Sequence, residues 1–361
     1  MISMSDISAI LSGYDESDVK IATICSHSAL QIFHGARIEG LTTIGIGTAR
    51  SRPYYESFPL AKPDIFIEVD SYSRILSDDL QKELIRENAI IIPHGSFVEY
   101  IGADNILEKL HVPMFGNRLT LLWEGDRRRQ RRWFSEAGVD TPRIYSSPLE
   151  VDRRVIVKFH GAKGGSRYFI ASDRVDLESK LRALEADPGG YIIEEYVAGV
   201  RYYPHFFLSP LRKPNIPGID YGSLELLGID RRLEVIDEIY RGWPDAIEEY
   251  MDFTVTGNQP VVLREKLLID LFEITAKIVS TSRKLFYPGL VGPFCIETIY
   301  NPKRGFTVFE VSARIVAGTN LYIDGSPYSS LYYSEPMSTG RRIAREVKEA
   351  AREGKLESIA Y

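Results

Sequence analysis

The sequence has few cysteines and no excess of basic residues. Its 361 residues include two cysteines, Cys25 and Cys295, and each lies in an apolar, strand-like run. This usage is typical of buried thiols in a reducing compartment, and it argues against a disulfide framework or a cysteine-ligated metal. The formal net charge of −6 argues against a general binder of nucleic acid or anionic membranes, which needs a basic surface, but allows small anionic substrates.

The sequence also lacks an apolar run long enough to span a membrane. Its N-terminal segment MISMSDISAILSGYDESD has neither the basic flank nor the long apolar core of a secretion signal. The hydrophobic content of 44% is typical of a globular chain, and the length suffices for two or three packed lobes. We therefore expect a cytoplasmic protein that binds neither membranes nor nucleic acid.

The first third of the chain alternates between strand-like and helix-like patterns. Apolar runs predict strands at residues 19–24, 41–46, 64–69 and 89–92, and helical spacing predicts helices at residues 26–37 and 78–87. This alternation predicts a doubly wound parallel sheet, in which ligands bind beyond the carboxyl ends of the strands.

Polar residues follow two of these predicted strands. Ser26 is a candidate N-cap, and His27 after it opens a helix whose free N–H groups favour an anion such as phosphate. Ser96 ends the motif HGS after the run 89–92, where glycine allows a close backbone approach. Alternatively, Ser26 only caps the helix and His27 is a surface residue. Two polar strand ends in one sheet nevertheless favour a binding site over this alternative.

A helical pattern at residues 119–137 contains a cluster of arginines, namely Arg127, Arg128, Arg129, Arg131 and Arg132. Such a cluster usually forms a solvated face or an interface rather than a phosphate site, so we assign it no role in the mechanism. The segment GVDTPRIYSSP that follows is punctuated by prolines and predicts a linker to a new structural unit.

The next unit begins with a strand that carries Lys158, followed by a glycine-rich loop and a second strand at 168–171. In that loop Lys163, Gly164 and Gly165 could fold over a polyphosphate, with backbone N–H groups and positive charge directed inward. The loop is not a P-loop, because the pattern G-x-x-x-x-G-K-[ST] is absent and no helix follows directly. A plain hairpin with a flexible tip remains the alternative.

The run YIIEEYV ends in a segment suited to a nucleoside. Its residues Glu194, Glu195, Tyr196 and Val197 form an extended hinge. Backbone groups of such a hinge can bind an adenine ring, and an acidic side chain can hold ribose hydroxyls.

A hairpin is predicted between residues 294 and 314, with one glutamate in each strand. A turn over residues 302–305 places Asn301 opposite Phe306 and Glu297 opposite Glu310, with Cβ atoms about 5 Å apart. Two carboxylates at that distance repel each other, and a shared Mg²⁺ would relieve the repulsion. Alternatively, one glutamate points to solvent or Arg314 neutralises the pair.

The order of lysine strand, glycine loop, EEYV hinge and distant carboxylate hairpin resembles that of ATP-grasp enzymes. More specific matches extend over nearly the whole chain and resemble the PurP family of archaeal, formate-dependent 5-formaminoimidazole-4-carboxamide ribonucleotide synthetases. The motifs include IATICSHSAL, IIPHGSF, VPMFGNR, VIVKFHGAKGG, ELLGIDRR, VTGNQPVVLRE, VGPFCIE and VFEVSAR.

The resemblance implies an α/β protein with an N-terminal doubly wound parallel-sheet domain followed by a two-lobed ATP-grasp α+β domain. We expect the N-terminal domain at 1–120, the small lobe with the glycine loop and hinge at 121–200, and the C-terminal lobe with the metal site at 201–361. It also implies a homo-oligomer and an ATP-dependent ligase of purine biosynthesis. Such a ligase phosphorylates formate and transfers the formyl group to AICA ribonucleotide (AICAR).

Residue by residue, the resemblance assigns AICAR to His27, Ser96 and Asn258, and a metal, Mg²⁺ or Mn²⁺, to Glu297 and Glu310. It assigns ATP to Lys158, the hinge 194–197 and Glu225. Phosphoryl transfer to a carboxylate brings two anions together, so cationic side chains must neutralise charge. Lys158 and Arg314 are our candidates for that catalytic role.

The chain departs from the family pattern after SAR, where an acidic residue and a glycine pair are common. Here Ile315, Val316, Ala317 and Gly318 precede TN. Loss of a carboxylate near the metal pair would change a ligand or the substrate pocket. Two alternatives therefore stay open: a related ligase that joins another carboxylate and amine, and a nucleotide-binding regulator without turnover.

Overall fold

Residues 1–159, 168–187, 190–234 and 253–361 are described by a computed structural model, and within them the chain is organised around three β-sheets. The strands are β1 (Lys20–Ile24), β2 (Thr43–Gly47), β3 (Ile65–Glu68), β4 (Ala89–Ile91), β5 (Ile144–Tyr145), β6 (Val155–Phe159), β7 (Tyr168–Ala171), β8 (Tyr191–Glu195), β9 (Val200–Ser209), β10 (Ser223–Glu234), β11 (Val255–Pro260), β12 (Gly292–Asn301) and β13 (Gly305–Ser312). The α-helices are α1 (Met4–Leu11), α2 (Ala29–Glu39), α3 (Arg52–Glu56), α4 (Asp78–Arg86), α5 (Ala103–Lys109), α6 (Arg118–Gly125), α7 (Arg127–Ala137), α8 (Arg174–Ala183), α9 (Glu265–Leu285) and α10 (Thr339–Arg352).

The N-terminal sheet is parallel and has the strand order β3-β2-β1-β4, which confirms the doubly wound prediction. Strands β1 and β2 are buried along their whole length, as expected for a sheet with helices on both faces. The C-terminal helix α10 packs closely against α2, because a Cβ atom at Gly35 would lie 2.1 Å from the backbone N of Arg341. The end of the chain therefore packs against the N-terminal sheet unit.

The arginine-rich segment forms two helices rather than one. The break falls at Asp126, whose backbone is extended and whose carboxylate accepts hydrogen bonds from the backbone N–H groups of Arg128 and Arg129. This is an N-cap, and it starts a new helix at Arg127. The sequence carries a signal for the break, because Gly125 and Asp126 are typical of a helix end and a new N-cap, and residues 124–132 contain no apolar side chain.

The small sheet has the order β5-β8-β6-β7 and is antiparallel. Helix α8 covers one face, with Leu177 and Leu181 packed against Val155 and Val157. The strand β6 ends with Lys158 and Phe159, and the neighbouring β8 ends with Glu194 and Glu195. Because the two strands are antiparallel, Lys158 pairs with Ile192 and Glu194 with Ile156, so Lys158 and Glu194 are diagonal neighbours on one face of the sheet.

The third sheet is antiparallel, with the order β11-β10-β9-β12-β13. One face carries aromatic and aliphatic side chains such as Phe206 and Phe294, which pack against α7 and α9 in the largest buried cluster. Trp133 of α7 is fully buried there and donates its indole N–H to the carbonyl of Ile278 in α9. Because side chains alternate along a strand, the other face is left for polar residues.

The hairpin β12–β13 pairs Glu297 with Glu310, as predicted, but by a different path. Asn301 pairs with Gly305 and not with Phe306, so the turn is one residue shorter than expected. A register shift beyond Thr298, at Phe309, then restores the pairing of the two glutamates.

Among the described residues, no helix is long and apolar enough to cross a bilayer.

Candidate active site

A cleft lies between the small sheet and the polar face of the five-stranded sheet. It encloses about 890 Å³ of space, part of which is open to solvent. Acidic and basic side chains from both sheets line it, including Lys158, Glu194, Arg232, Glu234, Glu297 and Glu310. This mixture is suited to a ligand that carries several negative charges together with a cation.

The floor of the cleft follows from the period of two along three neighbouring strands. Arg201, Tyr203 and His205 alternate along β9, and Asp230, Arg232 and Glu234 alternate along β10. The pairing of Cys295 with His205 puts Glu297 of β12 on the same face. A sheet face with so many ionisable groups is costly unless the groups pair with one another or with a ligand.

Lys158, Glu194 and Arg131 form an ion-pair triad on the small-sheet side. Lys158 Nζ lies 2.6 Å from one oxygen of Glu194, and Arg131 Nη2 lies 2.6 Å from the other. Burial alone would raise the pKa of Glu194, but the charges of Lys158 and Arg131 outweigh this effect and lower the pKa below its usual value. The triad fixes the Lys158 ammonium beside the cleft.

The predicted hinge lies along the cleft, where Glu195, Tyr196 and Val197 follow Glu194. Glu195 does not present a free carboxylate, because Arg304 Nη1 lies 3.0 Å from one of its oxygens. The backbone N–H of Tyr196 donates to the carbonyl of Arg154. These contacts hold the hinge extended against the rest of the small lobe.

The two glutamates of the hairpin differ in their partners. Arg232 donates to both oxygens of Glu297, at 2.7 and 3.1 Å, so this arginine, and not Arg314, neutralises that carboxylate. Glu310 forms no ion pair within the described part of the chain, although solvent reaches its side chain. Loss of hydration in the cleft and the negative charge of Glu297 raise the pKa of Glu310 to about 7.

The donor set at Glu297 and Glu310 fits a hard divalent cation. Carboxylate oxygens are suitable ligands, and the raised pKa of Glu310 indicates negative charge that a cation would stabilise. No cluster of three or more His, Cys, Asp or Glu residues with metal-binding geometry occurs in the described ranges. The remaining positions of an octahedral ion would therefore belong to water and phosphate oxygens, as is usual for Mg²⁺.

The polar strand ends of the N-terminal sheet lie next to this cleft. Helix α2 begins at Ala29, so Ser26 is not its N-cap, and Ser28 before the helix makes no side-chain capping bond. Instead Ser26 Oγ lies 2.9 Å from Ser96 Oγ, which joins the ends of the two strands. His27 has a left-handed backbone, with φ of 51°, and this conformation directs the chain into the helix.

The His27 imidazole is held neutral. Solvent reaches the His27 side chain, but loss of hydration among its neighbours, the His94 ring and the charges of Arg314 and Arg232 lower its pKa to about 3. The rings of His27 and His94 are stacked with centroids 5.4 Å apart. Since Arg232 also contacts Glu297, the predicted AICAR residue His27 and the predicted metal pair belong to one continuous polar region.

Arg314 lies between these two areas. Its Nη2 is 2.8 Å from Glu124 Oε1, and the other oxygen of Glu124 accepts the backbone N–H of Ala313. Ile315, the next residue, forms a parallel bridge with His94. The strand end of β13 is thus attached directly to the strand end of the N-terminal sheet.

Sequence comparisons cover most of the chain. Two family models match the chain. The family described as a protein of unknown function (DUF1246) matches residues 21–145, and the family described as a domain of unknown function (DUF1297) matches residues 179–360. A 5-formaminoimidazole-4-carboxamide-1-(beta)-D-ribofuranosyl 5'-monophosphate synthetase from Korarchaeum cryptofilum is 65% identical over 100% of both chains. A protein of the same name from Methanothrix thermoacetophila is 50% identical over 99% of each chain.

A solved structure agrees with these relatives. The IMP biosynthesis protein PurP from Thermococcus kodakaraensis is 33% identical, with a TM-score of 0.74 over 94% of this chain and 100% of that one. The chain belongs to the PurP family. N5-carboxyaminoimidazole ribonucleotide synthetase, purK, is 11% identical with a TM-score of 0.64 over 91% of this chain and 77% of that one, and shows the shared ATP-grasp fold alone.

Membership of the PurP family confirms the predicted family, the fold class and an ATP-dependent ligase. The structure brings the cleft residues of the small sheet and the hairpin together, and it sets His27, Ser96 and Arg314 beside them. Asn258 lies on β11 opposite Arg232. Lys163, Gly164 and Gly165 lie outside the described residues.

The structure does not bring Glu225 to the cleft of this PurP-family chain. Glu225 is buried, with Arg342 Nε and Nη2 at 2.9 and 3.1 Å from its two oxygens and the Tyr333 hydroxyl at 2.6 Å. Glu234, further along the same strand, lines the cleft instead and pairs with Arg201. Sequence reasoning missed it, although the polar positions 230, 232 and 234 in one strand were a usable signal.

The arginine-rich segment also reaches the site, which corrects our assignment of it to a solvated face. Arg127, the first residue of α7, lies 3.3 Å from the Tyr168 hydroxyl through Nη2, while its buried Nη1 has no hydrogen-bond partner among the described residues. Arg131 belongs to the triad with Lys158. Arg132 conforms to the original assignment, since its side chain is exposed and pairs with Glu136.

Proposed function

We propose that this protein joins formate to the exocyclic amine of AICAR at the expense of ATP. In the first step a formate oxygen attacks the γ-phosphorus of ATP, which gives formyl phosphate and ADP. In the second step the amine nitrogen attacks the formyl carbon, the C–O bond to phosphate breaks, and the nitrogen loses a proton. The products are FAICAR, ADP and phosphate.

One observation carries the proposal. Gly95 lies between His27 and Arg314, because a Cβ atom there would be 2.9 Å from His27 Nε2 and 3.6 Å from Arg314 Cζ, and two residues before Arg314 the Ser312 hydroxyl donates to Glu297 Oε1 at 3.2 Å. Arg314 and the end of β13 therefore connect the predicted AICAR site with the predicted metal pair. A two-step transfer requires this closeness, because an acyl phosphate must meet its amine before water hydrolyses it.

The nucleotide half supplies binding and charge. We assign the adenine to the hinge 194–197, the ribose to the neighbourhood of Glu234, and the polyphosphate to Lys158 and Arg127. The free Nη1 of Arg127 supports this assignment, because a buried guanidinium with an unused donor favours an anionic ligand. The Lys158 ammonium is held in place by Glu194 and supplies a second positive charge.

We assign Mg²⁺ or Mn²⁺ to Glu297 and Glu310. These two carboxylates would hold a divalent ion, and such an ion would supply positive charge that offsets the charge of the phosphates. The protein contributes the carboxylates and a guanidinium that keeps Glu297 in place. Arg232 is itself oriented by stacking, because its Cζ lies 3.9 Å from the centre of the Tyr203 ring.

For formate and the transferred phosphoryl group we assign Arg232 and Arg314. Both carry permanent positive charge beside the junction of the two areas, and Nε of Arg314 is buried without a partner among the described residues. On the other side His27 is neutral at physiological pH, so it can bind the nucleotide by hydrogen bonding without adding charge. Ser96 offers a hydroxyl at the same strand end.

The segment 315–318 packs on the cleft face of the five-stranded sheet. Val316 is buried in a small cluster with Tyr203 and Cys295, and Gly318 packs against Asp230. Because buried apolar side chains cannot serve as metal ligands, we assign the metal to Glu297 and Glu310 alone. We also propose a cytoplasmic location, in keeping with the buried free thiols Cys25 and Cys295, and a homo-oligomer, which rests on the family resemblance.

The test is a substrate-omission assay. The protein is incubated with ATP, Mg²⁺, formate and AICAR, and ADP and formylated nucleotide are followed together. We expect both products to form in equal amounts, and neither to form at an appreciable rate when formate is left out. ADP release that is indifferent to formate and to AICAR would contradict the proposal.

A further inference from the structure

We propose that Asp230 is a positioning residue that fixes the amide of Asn258, so that Asn258 offers the AICAR site a hydrogen-bond acceptor and not a donor. The inference rests on the proposed function, because it concerns the acceptor nucleotide. It assigns an N–H or O–H group of that nucleotide, and not its phosphate, to Asn258.

The contact between the two side chains defines the orientation. Asn258 Nδ2 donates to Asp230 Oδ2 at 2.6 Å, across the paired strands β10 and β11. A carboxylate can only accept, so it selects the NH₂ end of the amide. Turning the amide over would bring two oxygens together at that distance. The carbonyl oxygen of Asn258 therefore faces away from Asp230, and it has no protein partner in the described part of the chain.

Asp230 is itself held from two other directions. It is completely buried, and His205 Nε2 of the neighbouring β9 lies 2.7 Å from its second oxygen, although the angle is not that of a hydrogen bond. Gly318 packs against the same oxygen, since a Cβ atom there would come within 2.4 Å of it. The carboxylate has little room to turn, so the Asn258 orientation is fixed before a ligand binds.

The position of Asn258 connects this orientation to the reaction. Its strand position is paired with Arg232, whose guanidinium contacts Glu297, and opposed residues of an antiparallel pair have side chains on the same face. An acceptor oxygen there attracts amine, amide or hydroxyl hydrogens and repels phosphate. The aminoimidazole carboxamide and the ribose both carry such donors. Asn258 is therefore suited to bind the nucleoside part of AICAR and not its phosphate.

The decisive experiment exchanges the two residues. Asp230→Ala, Asn258→Asp and the double exchange of Asp230→Asn with Asn258→Asp are made, and KM for AICAR, KM for ATP and kcat are measured. Asp230→Ala removes the acceptor and Asn258→Asp places two carboxylates against each other, so we expect either single change to raise KM for AICAR about tenfold or more, as for one lost hydrogen bond, with little change in KM for ATP. In the double variant the amide placed at position 230 can donate to the carboxylate placed at position 258, which still presents an oxygen to the ligand. KM for AICAR should then return to within about threefold of the wild-type value.

Gln259→Glu is the matched control. It adds one negative charge next to Asn258 at an exposed position on the opposite face of the strand, and we expect no effect on KM for AICAR. Thermal unfolding and ATP binding establish that each variant is folded. If Asp230→Ala fails to fold, a folded double variant with near-normal KM supports the pair, and a folded double variant with a raised KM overturns it.

Two results would overturn the inference. One is a folded double variant as defective in AICAR binding as the worse single variant, which would mean that Asn258 must donate to the ligand. The other is a normal KM for AICAR in Asp230→Ala, which has no acceptor to hold the Asn258 amide. Calorimetry of AICAR binding to the wild-type protein separates this result from failure of the proposed function. If the wild-type protein binds no AICAR, both proposals are contradicted. If it binds AICAR normally and replacement of Asp230 has no effect on KM, only the present inference is contradicted.

Discussion

The guanidinium of Arg232 makes a two-pronged contact with the carboxylate of Glu297, with nitrogen–oxygen distances of 2.7 and 3.1 Å, while Glu310 on the paired strand has no such partner among the described residues. The two carboxylates are therefore unequal before any cation binds. Glu297 is balanced by a permanent positive charge, whereas Glu310 retains its proton up to an unusually high pH because its pKa is raised.

The raised pKa of Glu310 predicts a pH-dependent stability in the absence of divalent metal. Its folded-state pKa of about 7 lies above the ordinary glutamate value, so between these values the folded state binds more protons than the unfolded state. The free energy of unfolding should therefore fall as pH rises from about 4.5 to 7. Unfolding temperatures measured in EDTA across this range should show the fall, and Glu310→Gln should remove this contribution.

The control for that measurement is Glu136→Gln. Glu136 is an exposed helix residue paired with Arg132, and its loss should leave the pH dependence as in the wild-type protein. Added Mg²⁺ should raise the unfolding temperature most at about pH 8, where Glu310 is ionised. An equal effect of Mg²⁺ on wild-type protein and Glu310→Gln would remove Glu310 from the metal site.

Glu310→Gln should also abolish most catalysis without changing the fold. The amide keeps the shape of the carboxylate but loses its charge, and a divalent cation is then held by Glu297 alone, whose charge Arg232 already balances. We expect kcat for ADP formation to fall by roughly 100-fold or more. Wild-type turnover in this variant, with Glu136→Gln as the reference, would be incompatible with the metal assignment.

The free donor of Arg127 predicts an effect on ATP. Replacement by alanine removes a guanidinium with a buried, unused Nη1, and a lost hydrogen bond from a charged group to phosphate should raise KM for ATP about tenfold or more. Arg132→Ala is a matched control from the same helix, because that side chain is exposed. Steady-state kinetics with saturating formate and AICAR measures both. Equal KM values for the two variants would place Arg127 outside the nucleotide site.

The sequence predicted the elements of the site better than the details that align them. The pairing of Glu297 with Glu310 was predicted correctly because a shorter turn and a shift at Phe309 cancel, and neither feature has a clear sequence signature. The N-cap at Asp126 has a sequence signal, the pair Gly125-Asp126, which the prediction of one continuous helix overlooked. It decides where α7 begins, and so it decides that Arg127 points to the cleft.

Glu225 shows why a residue's place along a strand cannot be read from sequence alone. It lies on β10 with Glu234, but a rise of about 3.3 Å per residue separates the two by roughly 30 Å. Helix α10, which comes much later in the chain, covers the end of the strand and supplies Arg342. Only the tertiary structure shows that one glutamate of this strand meets a helix and the other a cleft.

This difference gives the sharpest paired prediction. Glu225→Gln should lower the free energy of unfolding by about 3 kcal/mol, because the buried Arg342 loses a charged partner, while KM for ATP in the folded protein stays unchanged. Glu234→Gln should raise KM for ATP. Its effect on the free energy of unfolding should be smaller than that of Glu225→Gln, because its partner Arg201 is partly exposed. Urea unfolding and ATP kinetics on both variants check the pair. A higher KM for ATP in Glu225→Gln, with normal KM in Glu234→Gln, would restore Glu225 as the nucleotide contact and remove Glu234.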